Sequence, residues 1–230
     1  MSRKGWLIGG AVVVVIAVVV ALVVISASGG DSSSDAPAGE TVGVTKTLDL
    51  VEGIPQAEFT IGKAGAPVTV REFIDPQCPV CKSASETTVP AIIEGPVADG
   101  TAKLIIEPLT FIGSESSTGA LAIAAAARQD RGVTFAEILL ANQGKENSGW
   151  VSDALLTDIA GKIPGIDVAT WESDRNGTEV GDAVFAASDR ATANGVNATP
   201  TFVITGPGGK RVITGASEPA TVLDAIEAVS

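Results

Sequence analysis

The chain contains two cysteines in its 230 residues, and both lie in the segment PQCPVCK, where Pro79 and Val80 separate Cys78 from Cys81. Two thiols at this spacing can form a structural disulfide, contribute to a metal site, or act as a redox-active pair. A disulfide closing so short a loop would stabilise the protein little, because the stabilisation increases with loop length. Zinc sites normally need about four ligands, and the chain has no histidine and one methionine. The spacing therefore favours a redox centre that needs no metal or other cofactor.

The composition excludes several other kinds of chemistry. Without histidine, the chain has no Ser/His or Cys/His catalytic pair, and a reactive cysteine must be activated in another way. The formal net charge of −12 argues against nucleic-acid binding, which requires a basic surface to displace counterions from the phosphates. We therefore expect no nucleic-acid partner.

An apolar segment near the N-terminus predicts a membrane anchor. From Trp6 to Ile25 the chain has no charged residue, and a helix of this length would span the roughly 30 Å hydrocarbon core of a bilayer. Arg3 and Lys4 precede the segment, and the positive-inside rule then places the N-terminus in the cytoplasm. We therefore expect residues 1–5 in the cytoplasm, residues 6–26 in the cell membrane as a single-pass helix, and the remainder outside the cytoplasm.

A cleaved signal peptide is the alternative for this segment. The small residues of ISASGG, Ile25 to Gly30, could be recognised by a signal peptidase. The apolar core of a signal peptide is usually only about 7–15 residues long, which favours the retained anchor. Either alternative exports the rest of the chain to a compartment in which disulfides persist.

The exported part divides into a linker and one domain. Residues 27–46 are rich in serine, glycine, alanine and acidic residues without apolar periodicity, which is typical of a flexible linker. Residues 47–230 are enough for one well-packed domain. Near its start, KTLDLVEG and AEFTIG could supply one more edge strand.

Apolar patterning predicts an α/β domain with a helical insertion. A β-branched run, Ala66 to Asp75, predicts a strand, and a helix follows from the cysteines to about Pro90, where proline should kink or end it. Ala102 to Ile112 predicts a second buried strand. Helical spacing then fills residues 116–196 before a predicted hairpin around GPGG and a C-terminal helix.

This order places the two cysteines at the start of a helix. Cys78 would then lie at or just before the first turn, where unpaired backbone N–H groups and the helix dipole stabilise a thiolate. Pro79 suits the first turn, where its missing N–H has no cost. A thiolate at Cys78 would exchange disulfides at neutral pH, and Cys81, one turn later, could resolve a mixed disulfide.

The arrangement resembles the thioredoxin superfamily, in which a strand, a CxxC motif and a helix are followed by a Thr-Pro before a later strand. More narrowly, APVTVREFIDPQCPVC, a helical block and then NGVNATPTFVI resemble the DsbA-like thiol:disulfide oxidoreductases of bacterial envelopes. The resemblance covers roughly Phe59 to Ser230. It implies a thioredoxin-like α/β fold with an inserted helical domain, preceded here by the one N-terminal transmembrane helix.

The resemblance also implies roles for particular residues. Cys78 matches the exposed nucleophilic cysteine of the family, and Cys81 matches its buried resolving cysteine. Pro200 matches a cis-proline that faces the disulfide and presents backbone groups to substrate, and Thr199 matches the residue that tunes substrate binding and redox behaviour. Glu72 matches a buried acid that assists proton transfer. The alternatives are an ordinary trans proline at a strand start and a glutamate on an edge or outward position.

One position of the motif departs from many relatives. Many DsbA-like oxidases carry histidine where this chain has Val80, and valine offers neither charge nor a side-chain hydrogen bond. Pro79 and Val80 fall where the family tunes its redox behaviour, so we expect a less strongly oxidising centre.

The resemblance implies a membrane-tethered enzyme that forms disulfides in exported proteins. Its substrates would be reduced or misoxidised secreted or envelope proteins, and a membrane quinone-linked partner would reoxidise the Cys78–Cys81 pair. Two alternatives stay open: a reductase or isomerase of the same fold, and a binding module whose disulfide is inert.

Overall fold

The computed structural model describes residues 40–230, so the predicted cytoplasmic segment, the membrane anchor and most of the linker lie outside it. Within the described part, no helix combines the length and apolar character needed to cross a bilayer. A π-helical turn at Ile93–Val97 follows the second helix. The elements are, in chain order, α1 (Val44–Val51), β1 (Gln56–Ala57), β2 (Thr60–Ile61), β3 (Val68–Ile74), α2 (Pro79–Ile92), β4 (Ala102–Pro108), α3 (Ser114–Ala127), α4 (Gly132–Ala141), α5 (Asp153–Lys162), α6 (Val168–Asp174), α7 (Thr178–Ala193), β5 (Thr201–Gly206), β6 (Gly209–Thr214) and α8 (Pro219–Glu227).

The strands form one six-stranded sheet in the order β1-β2-β4-β3-β5-β6. β3 and β4 are parallel, and every other neighbouring pair is antiparallel. A parallel pair needs a crossover connection, which α2 supplies. The loop between β3 and α2 therefore lies at the carboxyl end of this central pair. Helices α3 to α7 form the predicted insertion between β4 and β5.

The central strand β3 is covered on both faces. Because side chains alternate along a strand, Val70 and Ile74 point to one face, where they share a large core with residues of α2 and α4. Phe73 points to the other face and packs with Ala187 and Ala191 of α7. We call these two faces the α2 side and the α7 side of the sheet.

The structure corrects the prediction for the start of the domain. KTLDLVEG was expected to help form an edge strand, but it lies largely in helix α1, while AEFTIG contributes to the β1–β2 hairpin. Thr47 and Val51 are the buried residues of α1, four positions apart, and the helix packs against α4. Burial of this helical face outweighs the preference of threonine and valine for strands.

The end of the predicted linker also differs from expectation. Thr41 is buried and donates a hydrogen bond to Asp158, and the Asn142 side chain bonds both the N–H and the C=O of Val42 at 2.9 Å. Gly43 adopts a positive φ of 77°, and a Cβ there would lie 2.7 Å from that of Ala141. The ordered domain therefore begins before residue 47.

Helix α2 loses its regular α-helical form close to Pro90, as predicted. The helix continues to Ile92 and runs directly into the π-helical turn. Proline lacks an N–H and crowds the preceding turn, which usually disrupts a helix. Here Val89, Ile92 and Ile93 are fully buried around it, so tertiary packing holds the segment helical.

Candidate active site

Cys78 and Cys81 lie where strand β3 gives way to helix α2. Cys78 is the N-cap of α2, and its Sγ accepts a hydrogen bond from the N–H of Cys81 at 3.4 Å. Pro79 occupies the first helical turn, as predicted. Both cysteines are free thiols in the structure. The Cys78 residue keeps 6% of its surface accessible and Cys81 keeps none, so only Cys78 can be reached from outside.

The surroundings of Cys78 favour its thiolate. Its pKa is lowered to about 6, mainly by a hydrogen bond from the Cys81 thiol, which outweighs the opposing effect of burial. The Thr199 side chain and the backbone N–H groups of Cys81 and Val80 lower the pKa further. The side chain of Val80 donates nothing, so this thiolate depends on the helix terminus and on Cys81.

The surroundings of Cys81 favour its neutral thiol. Burial raises the pKa of Cys81 far above its ordinary value, and the hydrogen bond and charge of Cys78 raise it further. The charge of Glu72 acts in the same direction. Two thiols one helical turn apart therefore have opposite ionisation preferences.

The Thr-Pro segment lies against Cys78. The Thr199–Pro200 peptide bond is cis, so the alternative of a trans proline is wrong. The Thr199 carbonyl oxygen lies 3.3 Å from Cys78 Sγ and accepts a hydrogen bond from the neutral thiol. Strand β5 starts at Thr201 beside β3, which brings these distant residues together.

A groove of about 420 Å³ opens beside the half-buried Val80. It runs between helix α2 and the loop that leads into α8. Its wall is partly apolar, and its lining residues are Val80, Ser83, Ala84, Thr87, Ala216, Ser217, Glu218 and Pro219.

Glu72 is buried on the α2 side of the sheet, with 1% of its surface accessible, so the edge or outward alternative is wrong. It alternates along β3 with Val70 and Ile74, which face the same core as Cys81. Burial raises the pKa of Glu72 well above its usual value, and the charge of Glu137 raises it further. Neither carboxyl oxygen has a hydrogen-bond partner among the described residues.

Comparisons with known proteins identify the family. The thioredoxin family model matches residues 55–228, which is most of the described chain. The chain belongs to the thioredoxin family. Among curated proteins, the probable disulfide bond formation protein D of Bacillus cereus is 32% identical over 150 residues, covering 64% of this chain and 69% of that protein. The chain is 30% identical to disulfide bond formation protein D of Bacillus subtilis over 160 residues, covering 68% and 72% of the two chains.

Solved structures share the fold of this thioredoxin-family chain. Oxidised BdbD from Bacillus subtilis superimposes with a TM-score of 0.66 at 27% identity, covering 76% of this chain and 95% of that one. Chlamydia trachomatis DsbA has the same fold, with a TM-score of 0.64 at 23% identity over 74% and 89% of the two chains. The predicted thioredoxin-like fold with its helical insertion is confirmed. Together with the Bacillus relatives named for disulfide bond formation, it shows that the protein is a DsbA-like thiol:disulfide oxidoreductase.

Asp75 connects the cysteine loop of this thioredoxin-family protein to the insertion, and the sequence analysis missed it. One carboxyl oxygen accepts from the Gln77 N–H at 2.8 Å and from Ser116 Oγ at 2.6 Å. The other accepts from the N–H groups of Phe111 and Ile112 at 2.6 and 3.0 Å. An acidic residue at the end of a strand directly before the motif was the available signal.

Gln143 supports the cysteine loop from the end of helix α4. Its side-chain amide donates to the carbonyl oxygens of Pro76 and Cys78 at 2.8 and 3.1 Å. No local pattern marks this glutamine, because the contact spans 65 residues of chain. Glu137, on the same helix, also escaped the sequence analysis, although it is the sole charged residue within VTFAEILLA.

Proposed function

We propose that this enzyme forms disulfides in secreted or cell-envelope proteins through a redox centre made of Cys78 and Cys81. The observation that carries the proposal is the opposite ionisation preference of two thiols one helical turn apart, of which only Cys78 is accessible. A thiolate-stabilised Cys78 favours the reduced pair, which makes the disulfide form an oxidant. The names of the Bacillus relatives support the same direction.

The proposed reaction proceeds in two exchanges. A substrate thiolate attacks Cys78 Sγ of the oxidised pair, the S–S electrons pass to Cys81 Sγ, and Cys81 takes up a proton because its pKa is high. A second substrate thiolate then attacks the substrate sulfur of the mixed disulfide and displaces Cys78 as a thiolate. The substrate leaves with a disulfide, and the enzyme keeps the two electrons as a dithiol.

The residues around Cys78 are proposed to hold the substrate. The Thr199 carbonyl lies next to Cys78 Sγ, so an extended segment of substrate could pair with the backbone at Thr199 and Pro200. The groove beside Val80 would receive an adjoining apolar side chain. Pro79 and Val80 shape the motif without donating a side-chain hydrogen bond, so redox tuning falls mainly to the Cys81 thiol, with the backbone and Thr199.

The cellular setting is part of the proposal. The uncharged segment from Trp6 to Ile25 supports a single-pass anchor with the redox domain outside the cytoplasm. Each cycle leaves the enzyme as a dithiol, so an oxidant must remove two electrons before the next cycle. A membrane-bound redox partner would be within reach of an anchored domain.

A redox titration against glutathione tests the direction of the reaction. We expect the Cys78–Cys81 disulfide to be reduced by glutathione mixtures that leave structural disulfides intact, and the oxidised protein to restore activity to a reduced, unfolded ribonuclease. A strongly reducing potential would reject the oxidase in favour of a reductase. In Cys81→Ala, substrates should accumulate as mixed disulfides on Cys78, and their absence would indicate an inert binding module.

A further inference from the structure

Glu137 lies in one of the most enclosed helices of the described chain. Every residue of α4 from Gly132 to Leu140 is buried, and α1, α2, α3 and α5 pack around it together with β2 and β4. A charged side chain in such a place costs several kcal/mol unless it is paired. Glu137 forms no ion pair with any residue from 40 to 230, so its burial requires another explanation.

A hydrogen bond connects Glu137 to the helix that carries the cysteines. One carboxyl oxygen accepts a hydrogen bond from Ser85 Oγ at 2.5 Å. Ser85 follows Cys81 by four residues on α2, so the two side chains lie on the same face of that helix. The other oxygen of Glu137 has no partner among the described residues, and neither oxygen of Glu72 has one. Buried carboxyl oxygens are rarely left unpaired, so these three oxygens of Glu72 and Glu137 require an explanation.

Electrostatic effects connect the same groups in a series. Glu72 raises the pKa of Cys81, and Glu137 raises the pKa of Glu72 after the larger effect of burial. Burial raises the pKa of Glu137 to about 7, while Ser85 and the exposed Lys46 of α1 act against it. The ionisable groups acting on the carboxyl pair from neighbouring elements are thus Cys81 on α2 and Lys46 on α1.

We propose that Glu137 is the second carboxyl of a proton relay. Glu72 exchanges a proton with Cys81 Sγ, as the family resemblance implies for this acid, and Glu137 renews that proton from the surface near Lys46. The inference rests on the proposed redox role of Cys78 and Cys81 and adds a residue from the helical insertion to it. Two neighbouring buried carboxyls do not readily ionise together, so the pair retains one proton under conditions in which a single carboxyl would lose it.

The relay completes the proton balance of disulfide transfer. When the S–S bond breaks, the leaving Cys81 sulfur takes the proton of the Glu72 carboxylic acid. Glu72 then recovers a proton through Glu137, and solvent near Lys46 resupplies Glu137. The substrate dithiol releases two protons in all. One of them balances the proton that Cys81 takes up, and the other goes to solvent because Cys78 remains a thiolate. Reoxidation of the dithiol runs the same transfers in reverse.

The pH dependence of peptide oxidation tests the relay. We would measure the rate at which the oxidised protein oxidises a dithiol peptide from pH 5 to 9 in the wild type and in Glu137→Gln. Glutamine keeps the volume and can still accept from Ser85, but it cannot hold the pair's negative charge. Without the charge of Glu137, the pKa of Glu72 should fall. We therefore expect the alkaline limb of the rate profile to move to lower pH by about one unit and the rate at high pH to fall about tenfold, with unchanged KM.

Two further variants complete the rate experiment. Glu172→Gln, an exposed carboxyl on α6, is the matched control and should keep the wild-type profile. Glu72→Gln should lose more activity than Glu137→Gln, and the double variant should be no slower than Glu72→Gln alone, because both residues serve one path. A wild-type profile in Glu137→Gln, or losses that multiply in the double variant, would overturn the relay.

Infrared difference spectroscopy gives a readout that does not depend on turnover. Reduction of the wild-type protein should change the C=O band of a buried carboxyl, and Glu72→Gln should abolish that change. In the reduced protein a carboxyl should titrate near pH 7. Ser85→Ala removes a hydrogen bond that favours ionised Glu137, so the midpoint of this carboxyl titration should move to higher pH. An unmoved midpoint would overturn the relay, whereas a wild-type protein that does not oxidise the peptide would reject the proposed function itself.

Discussion

Two buried glutamates on the neighbouring strands β3 and β4 lie on opposite sides of the sheet and differ in every contact. Glu107, paired in register with Phe73, faces the α7 side and accepts hydrogen bonds from Arg71 and from Arg190 at 2.7–2.9 Å. Glu72 faces the α2 side without a hydrogen-bond partner among the described residues. A paired carboxylate stabilises the packing of α7 on the sheet, whereas an unpaired one is free to gain and lose a proton. The comparison indicates that the α7 side maintains the fold and the α2 side performs the chemistry.

The largest expected effect is on the α2 side, at Cys78. Cys78→Ser removes the accessible sulfur, so we expect complete loss of peptide oxidation with little change in the free energy of unfolding of the reduced protein. Stopped-flow kinetics and urea unfolding measure the two quantities. Activity that persists in this variant would mean that the buried Cys81 reacts directly, which would contradict the assignment of the nucleophile.

The ionisation of Cys78 is the next largest expected effect. Because its pKa is lowered to about 6, the thiolate should predominate above that pH. The rate of alkylation by iodoacetamide should therefore be nearly constant above pH 7 and fall about tenfold for each pH unit well below 6. Cys81→Ala should move this midpoint upward, because it removes the hydrogen bond with the largest effect. An unchanged midpoint would show that the helix terminus alone activates Cys78.

A third prediction concerns stability on the α2 side. The pKa of Glu137 is raised from 4.5 to about 7 in the folded protein, so the folded state binds a proton that the unfolded state releases between these values. Stability should therefore fall as the pH rises from about 4.5 to 7, by about 3 kcal/mol for this group. Urea unfolding at several pH values should show a shallower decline in Glu137→Gln. Equal slopes in both proteins would contradict the burial of an ionisable Glu137.

The smallest expected effect is on the α7 side. Glu107→Gln would leave two arginines without their carboxylate and should lower the free energy of unfolding by about 2 kcal/mol. Both arginines are about one-third exposed, which limits the loss. The folded variant should oxidise the dithiol peptide at the wild-type rate. A changed pH profile in this variant would break the distinction between the two sides.

The features of the site that the sequence predicted are those with a local signature. The spacing of Cys78 and Cys81, the strand before them and Pro79 at the first turn all lie within one short segment, and the resemblance supplied Thr199 and Pro200. Glu72 was a candidate whose burial stayed open, because alternation along β3 does not tell which face is covered when both are.

What the sequence did not predict depends on contacts between distant segments. Asp75, Gln143 and Glu137 act through residues brought together by the insertion, and no periodicity records such contacts. Helix α1 was missed because its threonine and valine favour a strand until α4 is present to pack against. Pro90 was expected to kink or end α2, and α2 does end two residues later, but the sequence did not predict that buried residues would continue it as a π-helical turn.

The pairing of Asn142 with the backbone of Val42 has a practical consequence for shortening the protein. A fragment starting at residue 47 would lose this pair and the buried Thr41, and it would cut helix α1 after its first turn begins. The truncation would uncover the face of α4 that α1 now covers, close to Gln143, whose side chain donates to the carbonyl of Cys78. The shortest fragment that keeps the redox loop supported must therefore begin before Thr41.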